Sequence, residues 1–89
     1  MAQIVWTDAA IADLDRIGAY IEAFSPLAAQ RMAARLIAAA VSLEQTPERG
    51  RSIGGGRREL VVIPPYVIRY SIAGSEVIVL EIRHGAREG

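Results

Sequence analysis

The 89-residue sequence predicts an α+β fold of order β-α-α-β-β-β, a helical hairpin packed on one face of a small, mostly antiparallel sheet. Three observations carry that expectation. Residues 57–84 hold three apolar runs rich in β-branched and aromatic residues, parted by Pro64-Pro65 and Ala73-Gly74-Ser75, the composition of strands separated by turns. Residues 8–45 instead repeat apolar groups at helical spacing, with one break at Ser25-Pro26. The link Phe24-Ser25-Pro26 is too short for anything but adjacent, roughly antiparallel helices, and such a pair is the natural cover for an apolar sheet face.

Taken in order, Gln3 to Trp6 is a short apolar stretch that reads as a first strand. Thr7 is a sound N-cap, and Asp8 sits in the first turn where the helix dipole favours a carboxylate. Ala10, Leu14, Ile17, Ile21 and Phe24 form the apolar stripe of a helix over 8–23. Ser25 caps the next helix and Pro26 suits its first position. That helix, about 26–45, is alanine-rich, with Met32, Leu36, Ala39, Ala40 and Leu43 as its stripe; alanine has the best helix propensity and lets a neighbour approach closely. Thr46-Pro47 ends it. Residues 47–56 read as a flexible connector, because Gly54-Gly55-Gly56 is followed by neither the GK[ST] of a phosphate loop nor a helix.

The strands follow at Leu60–Ile63, Tyr66–Ile72 and Val77–His84. A three-residue loop at 73–75 would pair Tyr70 with Ile78, Ile68 with Leu80 and Tyr66 with Ile82, placing the large apolar groups on one face. A two-residue turn would set Arg69 against an apolar core residue, since a one-residue slip exchanges faces. The expected core is Leu14, Ile17, Ile21, Leu36, Ile68, Tyr70, Leu80 and Ile82. The other face receives Arg69 beside Val79, Val67 beside Glu81, and Arg83.

Composition narrows the function. A chain of this length forms a single domain over 1–89. Cysteine is absent, so no disulfide or thiolate site can form, and one histidine makes zinc improbable. No cofactor is implied. No run approaches a membrane span, and the N-terminus lacks a signal-peptide pattern, so the expectation is a cytoplasmic protein with no membrane partner. Net charge is zero, poor for holding nucleic acid by bulk electrostatics. The charge is split, however. Residues 1–48 carry six acidic groups against three arginines, about −3, and residues 49–89 carry seven arginines against four glutamates, about +3. All ten basic residues are arginine, a bias that GC-rich coding accounts for together with the many alanines.

The ordered landmarks resemble the RelE/ParE family of bacterial type II toxin–antitoxin toxins. They are Val5-Trp6-Thr7 with Ala9, Asp13-Leu14, Ile17 and Tyr20-Ile21; Ser25-Pro26 with Ala28-Ala29; Pro47 with Gly50-Arg51; Arg58-Glu59-Leu60-Val61; Pro65-Tyr66 with Ile68 and Tyr70; and Ile82-Arg83-His84-Gly85-Ala86-Arg87. The resemblance covers nearly the whole chain and implies the fold derived above. It also implies one of two activities, ribosome-dependent mRNA cleavage in RelE-like members or inhibition of DNA gyrase without an enzymatic site in ParE-like ones. Either is neutralised by an antitoxin encoded alongside, whose C-terminal segment wraps the toxin. The Ser-Pro helix start, the Arg58-Glu59-Leu60-Val61 strand and the Arg83-His84-Gly85-Ala86-Arg87 ending are similar to the ParE branch, which implies gyrase as target, a ParD-like antitoxin as partner, a role in plasmid stabilisation and no sequence-specific nucleic-acid binding by the toxin alone.

Cleavage by 2′-OH attack needs a base, an acid and cations on the developing phosphorane charge. A ribonuclease site here would draw on Arg58, Arg69, Glu81, Arg83 and His84; no catalytic residue is assigned on the gyrase reading. Arg58, Arg69, Arg83, His84 and Arg87 are the candidate contacts for antitoxin or target. Arg69, Glu81 and Arg83 share a sheet face, either as a salt-bridged surface or as a docking one. His84, the only histidine, has the opposite parity and would face the helices unless the strand bends. An inactive family member that keeps only its antitoxin contact is the third reading.

Overall fold

A computed structural model describes residues 1–85, and Ala86, Arg87, Glu88 and Gly89 lie outside the described residues. The order is β1 (Gln3–Trp6), α1 (Asp8–Glu22), α2 (Pro26–Val41), β2 (Arg51–Gly54), β3 (Arg57–Ile63), β4 (Tyr66–Ala73) and β5 (Glu76–His84), with short 3-10 turns at Ser42–Glu44 and Pro47–Arg49. One five-stranded sheet runs β1-β5-β4-β3-β2. Only β1 on β5 is parallel; the rest is antiparallel. The α+β expectation therefore stands, with one strand more than expected.

Both helices start where the sequence places them. Thr7 Oγ1 accepts the Ala10 N–H at 3.1 Å, and Ser25 Oγ accepts that of Ala28 at 3.1 Å with Pro26 at the first position. Each cap satisfies one of the orphan N–H groups that open a helix. The helices cover one sheet face. Between the layers lie Ala10, Ile17, Leu36, Ala40, Leu43, Leu60, Ile68, Tyr70, Val77, Val79 and Ile82. Leu14 and Ile21 pack at the core margin. Phe24, expected on the buried stripe, is exposed beyond the end of α1, where its ring meets Tyr20 edge-on at 5.5 Å.

The stretch expected to be a flexible connector is ordered. Arg51–Gly54 forms the sheet edge beside β3, and Gly54, Gly55 and Gly56 all have positive φ, the conformation that a turn this tight requires and that glycine adopts without steric cost. Upstream, the buried Tyr70 hydroxyl donates to the Pro47 carbonyl at 2.6 Å and accepts the Gly50 N–H at 2.9 Å. Gly50 fits because a Cβ there would lie 2.8 Å from both the Glu59 carbonyl oxygen and the Tyr70 hydroxyl.

The β4–β5 register differs from the expected one. The loop is the two-residue Gly74-Ser75, with Ala73 opposite Glu76 and Tyr70 opposite Val79. Leu80 is then an extra residue, and the ladder resumes with Arg69 opposite Glu81, Ile68 opposite Ile82 and Tyr66 opposite His84. This β-bulge reverses the parity of β5. Val77, Val79 and Ile82 are buried while Ile78 and Leu80 are only half-buried, so Ile78 and Leu80 do not pair with Tyr70 and Ile68 as expected. Groups from β1's end and α1 satisfy the bulge. Thr7 Oγ1 lies 2.8 Å from the Val79 carbonyl and 3.1 Å from that of Leu80, and the Asp13 carboxylate accepts the Ile82 N–H at 2.9 Å. The bulge also removes the clash that spoke against a two-residue turn, because Arg69 now faces a carboxylate.

Candidate functional site

The sheet face away from the helices carries an alternating ladder of charge. Arg51 on β2 bonds Glu59 on β3 at 3.0 Å; Glu59 bonds Arg69 on β4 at 3.1 Å; Arg69 reaches Glu81 on β5 at 3.5 Å; Glu81 bonds Arg83 at 3.2 Å. The registers Arg51 opposite Glu59, Glu59 opposite Arg69 and Arg69 opposite Glu81 create it, so opposite charges sit side by side across four strands. Exposure rises outward from the middle: Glu59 is 8 % exposed, whereas the Arg51 side chain is 75 % exposed. The Arg51 guanidinium, with Arg69 beside it, holds the Glu59 carboxyl below its ordinary value, against the opposing effect of burial. Glu59 is thus an ionised carboxylate engaged by two cations, which makes it a poor proton acceptor.

The expected ribonuclease set does not converge on this face. Arg69, Glu81 and Arg83 are together, but their charges are mutually engaged. Arg58 has the parity of Tyr70, and its guanidinium donates to the Gly50 carbonyl at 2.7 Å and the Glu48 carbonyl at 3.3 Å, which clamps the loop before β2. Arg87 lies outside the described residues. His84 ends β5 on the helix side, opposite Tyr66, whose ring it meets edge-on at 5.4 Å. With Arg16, Ile17 and Tyr20 of α1 these two rings line a cup of about 310 Å³. The His84 Nδ1 is buried there without a hydrogen-bond partner among the described residues. Arg16 at its rim bonds Asp13 at 2.6 Å.

Sequence reasoning missed Arg16, Tyr20 and Tyr66 as neighbours of His84. The i, i+4 spacing of Arg16 and Tyr20 places them on one helix face, but joining them to His84 requires the bulged register. Glu59 was missed too, although its parity with Arg69 and Glu81 follows once β3 and β4 are paired. Among the described residues no group of His, Asp or Glu is placed to hold a metal ion, and no helix is long and apolar enough to cross a membrane.

Residues 4–89 match the family model described as the ParE toxin of the type II toxin–antitoxin system parDE. The chain is 61% identical over 87 residues to the protein named Toxin RelE2 of Caulobacter vibrioides, spanning 98% of this chain and 99% of that one. It is 41% identical over 80 residues to Toxin RelE1 of the same organism, covering 85% of each. Among solved structures it is similar to a chain described as the chromosomal ParDE TA system from P. aeruginosa, with a TM-score of 0.81, 27% identity, and coverage of 94% of this chain and 96% of that one.

Proposed function

The chain belongs to the ParE toxin family of type II toxin–antitoxin systems, and from that premise we propose that it is a cytoplasmic growth inhibitor that acts by protein contact on DNA gyrase and is neutralised by a ParD-like antitoxin. The observation that carries the gyrase reading is the charge ladder. The two cations expected to serve a ribonuclease from the open sheet face, Arg69 and Arg83, are bonded to Glu59 or Glu81. Arg58 is spent on backbone carbonyls, and His84 lies on the other side of the sheet. Electrostatic catalysis needs donors aimed at charge that develops in the transition state, and these donors already face standing carboxylates. Zero net charge also suits a protein target better than a nucleic acid.

Ribosome-dependent mRNA cleavage is the second reading, and the cup that gathers His84, Tyr66, Tyr20 and Arg16 favours it. Expression without antitoxin separates the readings. Growth should stop, plasmid supercoiling should be lost, and mRNA should stay intact. Cleaved mRNA with normal plasmid topology would favour the nuclease, and normal growth with confirmed expression would favour a member that retains only antitoxin binding.

A further inference from the structure

We infer that the cup beside His84, with the exposed rings of Tyr20 and Phe24, is the surface that seats on the protein target, and that it receives an aromatic side chain with a polar edge, tyrosine or tryptophan, set in a basic neighbourhood. The inference rests on the reading of the chain as an inhibitor that acts by contact, and it names where on the chain that contact falls. Both layers of the fold build the cup. Arg16, Ile17 and Tyr20 come from α1, Tyr66 from the start of β4 and His84 from the end of β5. Its sheet-side wall is preformed. The Gly85 N–H donates to the Pro65 carbonyl at 2.7 Å, tying the end of β5 to the turn before β4, and the Tyr66 and His84 rings meet at 81°. A preorganised wall loses little freedom on binding. The volume of about 310 Å³ lies at the lower end of the range for ligand sites and suits a single side chain.

The rings beside the cup are open to a partner. Tyr20 is 57 % exposed and Phe24 77 % exposed, and they meet edge-on at 5.5 Å. Aromatic residues are enriched where interfaces concentrate their affinity. His84 adds direction. Its Nδ1 is buried without a partner among the described residues, so an incoming group can bond the imidazole only through Nε2. A phenol hydroxyl can donate to or accept from that nitrogen, whichever tautomer the ring adopts, and an indole N–H can donate to it. An aliphatic anchor can do neither. Charge decides between a protein and an RNA occupant. α1 carries Asp8, Asp13, Asp15 and Glu22 against Arg16 alone. Arg16, the one arginine among the described residues that line the cup, is held by Asp13 at 2.6 Å. A phosphodiester would meet a half-neutralised guanidinium on an acidic helix, whereas single strands are held in cationic grooves. A basic protein surface complements the same helix.

The test titrates the full chain, released from its antitoxin, into gyrase supercoiling reactions. Tyr20→Ala and Phe24→Ala, both on exposed residues, and His84→Phe, which keeps a ring and loses the nitrogen, should each raise the toxin concentration for half-inhibition by at least about fivefold. His84→Gln, whose amide reaches the Nε2 position, should lose less than His84→Phe. Ile37→Ser, at an exposed apolar position of α2 outside the cup, should inhibit like wild type. Thermal melts and antitoxin affinity should stay at the wild-type level throughout. In solution NMR, N-acetyltyrosinamide should shift the Tyr66 and His84 ring resonances and N-acetylleucinamide should not; the reverse order would overturn the aromatic occupant. Unchanged inhibition by all three variants, with wild-type toxin active, would overturn the inference and leave the gyrase reading standing. No inhibition by the wild type would overturn both. An equal loss of antitoxin affinity would assign the surface to the antitoxin and overturn the inference. So would a short oligouridylate that shifts the same resonances while the variants inhibit gyrase normally, because the cup would then belong to RNA.

Discussion

Replacing Tyr70 with Phe isolates the contact that orders the 47–51 loop. The ring is fully buried, and Phe keeps its volume, so no cavity term arises. What disappears is one hydroxyl with two backbone partners. The buried Gly50 N–H loses its acceptor, and an orphaned buried donor costs about 1–3 kcal/mol. The Pro47 carbonyl loses a short 2.6 Å bond but is only part-buried, so the ordinary net value of about 0.5–1.5 kcal/mol applies. Together the loss is about 1.5–4.5 kcal/mol, a large share of a small domain's stability, and corresponds to a fall in Tm on the order of 6–36 °C. Urea denaturation should show the midpoint falling with its slope unchanged. Amide exchange at Gly50 should accelerate by more than that of the core strands. Gly50→Ala should do similar damage from the other side, because its Cβ would collide with the same hydroxyl and with the Glu59 carbonyl. A loss below about 0.5 kcal/mol for Tyr70→Phe, with Gly50 still protected, would refute the reasoning, since two lost bonds at one buried site cannot be so cheap.

Asp13→Ala should destabilise by about 0.5–2.5 kcal/mol, the orphaned Ile82 N–H offset by roughly 0.5 kcal/mol of better helix propensity. Asp13→Asn, which keeps an acceptor, should lose less by the same denaturant melt, and equal losses would remove Asp13 from the bulge. In the core, Ile82→Ala should cost about 2–5 kcal/mol, and Leu80→Ala, half-buried at the bulge, less than about 2 kcal/mol; the reverse ranking would restore the unbulged register. Acid stability tests Glu59, whose folded pKa lies below its ordinary value of 4.5. Its contribution is complete above that ordinary value and is lost as pH falls through the depressed one. Glu59→Gln should therefore flatten the stability–pH curve below about pH 4.5 relative to wild type, and a curve of unchanged slope would show that the Arg51 and Arg69 bonds do not hold the carboxylate in solution.

The parts of the fold that were legible in the sequence are those decided locally. Thr7, Ser25-Pro26 and the alanine-rich stripe mark both helices through capping and periodicity, signals that need no distant partner. The β5 register was not legible, because its bulge is held by Thr7 and Asp13 from nearly the other end of the chain. Hairpin alternation read alone favours the unbulged pairing. β2 was hidden for a related reason: a four-residue strand ending in a glycine has no periodicity of its own and exists by pairing with β3. Of the candidate site, the shared parity of Arg69, Glu81 and Arg83 was readable. That Arg58 would turn to the Gly50 carbonyl, and that Arg16 and Tyr20 would close over His84, depend on packing between elements that sequence spacing leaves free.

For this ParE-family chain we propose action on gyrase by contact and not on RNA by catalysis. Supercoiling of relaxed plasmid by purified gyrase, with ATP, in the presence of increasing toxin tests it most directly. Supercoiling should fall as toxin is added, and equimolar antitoxin added beforehand should restore it. Undiminished supercoiling at a large molar excess of folded toxin, beside mRNA cleavage when the same preparation is added to translating ribosomes, would contradict the account.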